Sequence, residues 1–225
     1  MRGKDSDKAI KRIEEKIKEM EHNRMKDFIN ALASKEPTPG GGGAAAVVGS
    51  LAAALGSMVA NLTTGKKKYA QYQEDMDRIL VFLEEAIWEI HGYMEKDAEA
   101  FGPVAEAYKI PKDDPKRAEI MEKALLAAAV VPMELAGKVN DLIPVLEELE
   151  EKGSKLALSD VAVAAVCARA AMEGAVMNVY INTKSLTNPM IAEGLNKKAM
   201  KLVEEGSKRC QGIYDRIQKS LVEKE

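Results

Sequence analysis

The stretch LEEAIWEIHGYMEKDAEAFGPVAEAY, Leu83 to Tyr108, sets apolar side chains at 83, 87, 90, 94, 101, 104 and 108. Steps of three and four mark one face of a helix. Position 97 belongs to the same series, and there the residue is Asp97. A carboxyl in an apolar seam is partly desolvated, which raises its pKa and suits it to general acid–base work near neutrality. The plainer alternatives are a buried Asp neutralised by a Lys or Arg of another helix, or a cavity facing water. Glu99, two residues on, points away from the seam toward solvent.

Outward from this stretch the same period recurs. Ile10, Ile13, Ile17 and Met20, then Phe28, Ile29 and Leu32, follow threes and fours, as do Ile191, Leu195, Ala199, Leu202, Cys210, Ile213, Ile217 and Leu221. No window sustains a period of two, so the chain reads as all-α. The pattern predicts helices over about 6–35, 42–63, 70–109, 116–151, 160–183 and 189–222. Pro103, Pro132 and Pro144 are expected to kink or end the helices they touch, with a break in 116–151 near Pro132 or Pro144. Residues 153–159 read as a loop, with Ser159 or Asp160 capping the next helix. No repeat or linker divides the chain, so residues 1–225 are expected to form one long-helix bundle, with a charged arm over 1–24.

Of the 225 residues, 46% are hydrophobic, 31% charged and only 4% aromatic, while Ala alone contributes 32. That suits closely packed helices with a real core. A net charge of −3 argues against nucleic acid as a partner. Cys167 and Cys210 lack metal-type spacing, and a reducing cytoplasm fits them better than a secreted disulfide scaffold. With only His22 and His91, a histidine-rich metal centre is not expected, and acid–base chemistry falls to carboxylates. Charge-dense residues 1–21 do not resemble a signal peptide.

From Gly40 to Thr64 there are 25 uncharged residues, enough to span a bilayer. Their composition is mostly Gly, Ala, Ser and Thr, which favours a helix buried in a soluble protein over a membrane span. Ala52, Gly56 and Ala60 have the small-xxx-small spacing that lets backbones approach closely. The stretch Val161–Val179 carries only Arg169 and Glu173 as charges. A monomer of this size buries two such helices with difficulty, so a helical homodimer is expected.

Three further places invite chemistry. Gly40 to Gly43 precede a helix whose backbone N–H groups could meet an anion, or they form a turn for close packing. Gly65-Lys66-Lys67-Lys68 reads as a helix C-cap with dipole-matched lysines, or as a cationic mouth for an anionic substrate. A helix of this length holds the glycines and lysines about 30 Å apart in one subunit, so only an antiparallel dimer or a bend could unite them. Asn178 and Asn182, one turn apart, can bond a planar heterocycle or tie down neighbouring backbone. Cys167 reads as core filler.

These residues together resemble the cyclodeaminase/cyclohydrolase family of folate enzymes. The resemblance rests on Pro37-Thr38-Pro39-Gly40-Gly41-Gly42, Ser57-Met58-Val59 and Gly65-Lys66-Lys67, then Asp97-Ala98-Glu99-Ala100-Phe101, Pro111, Pro132, Ser159-Asp160 and Asn178-Val179-x-Ile181-Asn182, in that order over about residues 25–215. It implies an all-α homodimer acting on one-carbon tetrahydrofolates, polyglutamylated in the tail, with neither metal nor organic cofactor; composition adds the expectation of a cytoplasmic protein with no nucleic acid or membrane partner. It assigns acid–base catalysis to Asp97 and substrate binding to Gly40, Gly41, Gly42, Lys66, Lys67, Asp160, Asn178 and Asn182. Gly43 stands where the family commonly has Ser, Ser154 where Asn is frequent, and Thr183 where an apolar residue is usual. The quadruple glycine and triple lysine look closer to the clostridial-type cyclohydrolases. The leading expectation is formiminotetrahydrofolate cyclodeaminase, which closes 5-formiminotetrahydrofolate to 5,10-methenyltetrahydrofolate and ammonia. The alternative is methenyltetrahydrofolate cyclohydrolase, interconverting the 5,10-methenyl and 10-formyl forms. A rival of another class is a non-catalytic helical binding module.

Overall fold

A computed structural model describes residues 24–223. The chain divides into two compact units, residues 1–40 and 41–225. The expected arm over 1–24 and most of the expected helix over 6–35 lie outside the described residues. In the first unit, residues 24–32 are helical and a cis Thr38–Pro39 bond follows.

The second unit contains six helices: α1 (Gly41–Thr63), α2 (Gln73–Lys109), α3 (Arg117–Asn140), α4 (Ile143–Lys152), α5 (Leu158–Thr183) and α6 (Pro189–Val222). Among the described residues there is no strand. Helix α1 packs along α2 and α5, α3 touches both of these, and α6 lies along α5. The small residues of α1 make this possible. A Cβ on Gly49 would stand 2.8 Å from a Val139 methyl and 3.0 Å from an Ile90 methyl, so α1 approaches α2 and α3 to a distance only glycine allows. Ala52, Gly56 and Ala60 are buried as their spacing requires. Leu83, Ile90 and Val104 of the α2 seam are buried, but Tyr108 is exposed and Ala107 takes the inward place.

Local signals set most helix ends. Gly65 adopts φ 71° after α1, the left-handed cap that favours glycine. Pro189 opens α6, and the Asn188 side chain accepts from the N–H groups of Met190 and Ile191. The stretch over 116–151 is broken near Pro144, one of the two places expected, and so forms two helices. Pro144, near the start of α4, has no N–H to continue the ladder of α3. Pro132 does not break α3, and Pro103 does not break α2. Pro132 withholds the N–H that would bond the Ala128 carbonyl four residues earlier. The Asn182 side chain donates to that carbonyl from α5 at 3.0 Å instead, so the helix runs on.

Two other expectations are corrected. Helix α5 begins at Leu158, and neither Ser159 nor Asp160 caps it: the capping position is Ala157, which has no side-chain bond, after a short turn over Lys155–Ala157. Asp160 instead lies in the first turn, where its charge meets the positive helix end. Nor are the two apolar helices fully buried within one chain. Leu51, Met58 and Leu62 of α1, with Val163, Val166, Met177 and Ile181 of α5, are exposed. Helix α1 is long and apolar enough to cross a membrane, yet 56% of its apolar window is buried against the rest of the protein.

Candidate active site

The first turn of α1 meets α2 and α5 at one point. From α2, Asp97 places its carboxyl on that turn, and its Oδ2 accepts the Gly43 N–H at 3.1 Å. From α5, Asn178 stands over Gly41, its Nδ2 3.3 Å from where a Gly41 Cβ would lie. The seam spacing of α2 turns Asp97 inward, and the glycines give it room. Burial pushes the Asp97 carboxyl above its ordinary pKa, with the Gly43 N–H opposing this. Among the described residues no ion pair includes Asp97. The alternative of a neutralising Lys or Arg is therefore not seen there. A half-buried carboxyl of raised pKa and no fixed counter-charge can both take and return a proton.

The two asparagines differ. Asn178 Nδ2 donates to the Gly174 carbonyl at 3.0 Å, and its Oδ1 accepts no hydrogen bond among the described residues. Asn182 Nδ2 donates to the Ala128 carbonyl at 3.0 Å and to the Asn178 carbonyl at 2.8 Å. Both of its N–H groups are thus committed to backbone, the tying-down role, and leave no amide donor for a heterocycle. Gly43 belongs to the run whose backbone N–H groups the sequence offered to an anion, and the group that accepts its N–H here is the chain's own Asp97 carboxyl.

Lys66, Lys67 and Asp160 lie elsewhere. Thr63, at the C-terminal end of α1, accepts the Ser154 N–H at 2.8 Å, and the Tyr69 hydroxyl accepts the Lys155 N–H at 3.0 Å. These bonds hold the lysine turn beside the loop that enters α5. Lys66 and Lys67 are exposed, and Asp160 is half-buried. Because α1 and α5 run antiparallel, this group is one helix length, about 30 Å, from Asp97. Gly40 belongs to the first unit, where a Cβ on it would lie 3.8 Å from the Pro37 carbonyl oxygen. Within one chain the second unit thus brings together Gly41, Gly42, Asp97 and Asn178, with Asn182 bracing them, and keeps the lysines and Asp160 apart.

Burial pushes the Cys167 thiol up and the Cys210 thiol to about 11, which suits core residues rather than nucleophiles. Among the described residues, no group of three His, Cys, Asp or Glu side chains gathers as metal ligands would.

The family model described as formiminotransferase-cyclodeaminase matches residues 24–201. A methenyltetrahydrofolate cyclohydrolase of Methylorubrum extorquens is 38% identical over 201 residues, 88% of this chain and 97% of its own. The mouse formimidoyltransferase-cyclodeaminase is 34% identical over 185 residues, 80% of this chain but only 34% of that longer protein. The crystal structure of a formiminotetrahydrofolate cyclodeaminase from Thermotoga maritima superposes with a TM-score of 0.74 at 36% identity, covering 86% of this chain and 93% of that one. The chain therefore belongs to the formiminotransferase-cyclodeaminase family.

Proposed function

We propose that the protein is a folate one-carbon enzyme, and that its reaction is the hydrolysis of 5,10-methenyltetrahydrofolate to 10-formyltetrahydrofolate. The observation that carries the chemistry is the half-buried Asp97 carboxyl on the first turn of α1, held by the Gly43 N–H and in no ion pair among the described residues. Water adds to the methenyl carbon while Asp97 takes its proton. Asp97 then returns that proton to N5 as the carbon–N5 bond breaks, and the hydroxyl proton leaves for solvent as the formyl group forms. Similarity to the Methylorubrum cyclohydrolase over almost its whole length supports this order of preference.

The second reading is cyclodeamination, favoured by the Thermotoga structure. There N10 attacks the protonated formimino carbon, and Asp97 carries the N10 proton to the amino group that departs as ammonia. One carboxyl suffices for either reaction, and no organic cofactor is required. Near-UV spectroscopy and ammonia release separate the two. Hydrolysis consumes the methenyl band without ammonia, whereas cyclodeamination creates that band with one ammonia per turn. An enzyme that does neither above background is not a folate enzyme of this kind, and the binding-module reading replaces it.

The active form in this proposal is a cytoplasmic homodimer. The bare apolar stripes of α1 and α5 support pairing, with Leu51 47%, Met177 58% and Ile181 63% exposed. An antiparallel pairing would set Lys66 and Lys67 of one subunit beside Asp97 of the other, ready for the anionic glutamate tail of a polyglutamylated substrate. Light scattering should give twice 24.5 kDa; a clean monomer would remove the shared site.

A further inference from the structure

The Asp97 carboxyl occupies the volume that any side chain at position 42 would fill. A Cβ on Gly42 would stand 2.1 Å from Oδ1, 2.4 Å from Cγ and 2.6 Å from Oδ2. All three distances are far inside van der Waals contact, and they involve the head of a short side chain held on a packed helix. Gly41 is different. Its Cβ would meet Asn178 Nδ2 at 3.3 Å and Oδ1 at 3.5 Å, a contact that a slight turn of the amide relieves. The next residue, Gly43, bonds Oδ2 through its N–H at 3.1 Å. Among the described residues Oδ1 accepts no hydrogen bond.

We propose that Gly42 is a positioning residue for the proton transfer: its missing side chain is the seat of the Asp97 carboxyl, which lets Gly43 fix Oδ2 and leaves Oδ1 to exchange protons with the substrate. This rests on the assignment of Asp97 as the acid–base group. It gives the glycine run a task other than touching the substrate. Gly42 acts through Asp97, and Gly41 is spectator to that step. Burial on this seat is also what raises the carboxyl pKa, so turning the side chain out to water should return it toward the ordinary range.

The test compares Gly42→Ala, Gly41→Ala, Asp97→Asn and the double variant Gly42→Ala/Asp97→Asn on methenyl- and formiminotetrahydrofolate. Gly42→Ala should lower kcat about 10²- to 10⁴-fold, as loss of a general acid–base does, with little change in KM. Gly41→Ala should do far less. The double variant should be no slower than Asp97→Asn alone. A wild-type kcat in Gly42→Ala, or multiplicative losses in the double variant, would overturn the proposal.

Two readouts do not depend on turnover. In ¹³C-aspartate-labelled protein, the resonance absent from Asp97→Asn should titrate at a raised pKa in the wild type and near the ordinary value in Gly42→Ala; an unchanged titration overturns the seat. If Gly42→Ala folds poorly, Asp97→Ala should restore its melting temperature, since removing the carboxyl frees the space and Ala favours the helix. A double variant as unstable as Gly42→Ala alone refutes it. Absence of any folate turnover in the wild type would sink the functional assignment while these two measurements still decide the seat.

Discussion

Replacing Asn182 by Ala should destabilise the protein through Pro132, a residue on another helix. In α3 the Ala128 carbonyl has lost its normal partner, because position 132 is proline and offers no N–H. Ala128 and Pro132 are both buried, so water does not readily take the vacancy, and the Asn182 amide fills it at 3.0 Å. Asn182→Ala leaves a buried acceptor unmet, at a cost of about 1–3 kcal/mol. For a protein of this size each kcal/mol lowers Tm by about 2–4 °C. Pro132→Ala restores the missing N–H to the helix ladder, and in that background Asn182→Ala should lose most of its effect. What remains is the bond to the Asn178 carbonyl and some packing, about 1 kcal/mol or less. The four proteins of the cycle are compared by urea and thermal denaturation followed by circular dichroism. Equal costs of Asn182→Ala in the two backgrounds would refute the coupling. Turnover adds a second arm. If Asn182 is structural, Pro132→Ala/Asn182→Ala keeps the kcat and KM of Pro132→Ala, whereas a raised KM in both backgrounds would mark Asn182 as a substrate contact.

Other outcomes follow from the same contacts. Asp97→Asn should abolish most turnover, by about 10²- to 10⁴-fold, yet raise Tm at pH 8. The folded carboxyl has a raised pKa, so its contribution to stability is fully present below the unfolded value near 4 and is lost as pH rises through the folded pKa; the Tm gain should vanish in acid, and a gain that persists there would contradict it. Mixing inactive Asp97→Asn with inactive Lys66→Ala/Lys67→Ala subunits should recover about a quarter of wild-type activity, because half of randomly re-formed dimers carry one intact shared site out of two; no recovery after subunit exchange would mean that each chain builds its own site. Gly49→Ala should destabilise by about 1–3 kcal/mol through overpacking, since its Cβ would meet Val139 at 2.8 Å. Gly92→Ala, mid-helix with open space around it, should stabilise by up to about 1 kcal/mol; calorimetric melts showing the same sign for both would refute the packing account.

What was legible in the sequence was what local chemistry encodes. The seam over 83–104, the glycine cap at Gly65 and the proline start at Pro189 each act within a turn or two, and the corresponding helix ends match the structure closely. Asp97 was legible as a misfit because helical spacing alone assigns it to the packed face. The uninterrupted α3 was not legible, because tolerance of Pro132 depends on Asn182, 50 residues later. The capping of α5 misled for a related reason: Ser159 and Asp160 have suitable side chains, but the turn over Lys155–Ala157 starts the helix before them. The partner of Gly43 was not legible, because a backbone N–H carries no sign of whether it meets a ligand or, as here, the Asp97 carboxyl. The separation of the glycines from the lysines was implied by helix length, although the residue pattern by itself lists them as one set.

That division bears on why the exposed apolar stripes lie where they do. The α1 end that holds the Asp97 carboxyl also presents positive dipole and glycine, whereas its other end presents three exposed lysines. A folate is likewise divided, with its reacting nitrogens near the ring and its negative charge in the glutamate tail. On the proposed function, one chain offers the two kinds of recognition about 30 Å apart, along a helix whose intervening surface includes exposed Leu51, Met58 and Leu62. Those side chains gain nothing from water and contribute to folding only when covered. Covering them with the same stripe of a second chain in antiparallel sense removes the exposed surface and brings opposite ends together twice. On the proposed arrangement, association and assembly of the site are therefore the same event, and the sequence that makes α1 too apolar for a monomer is the sequence that gives the enzyme its second recognition element.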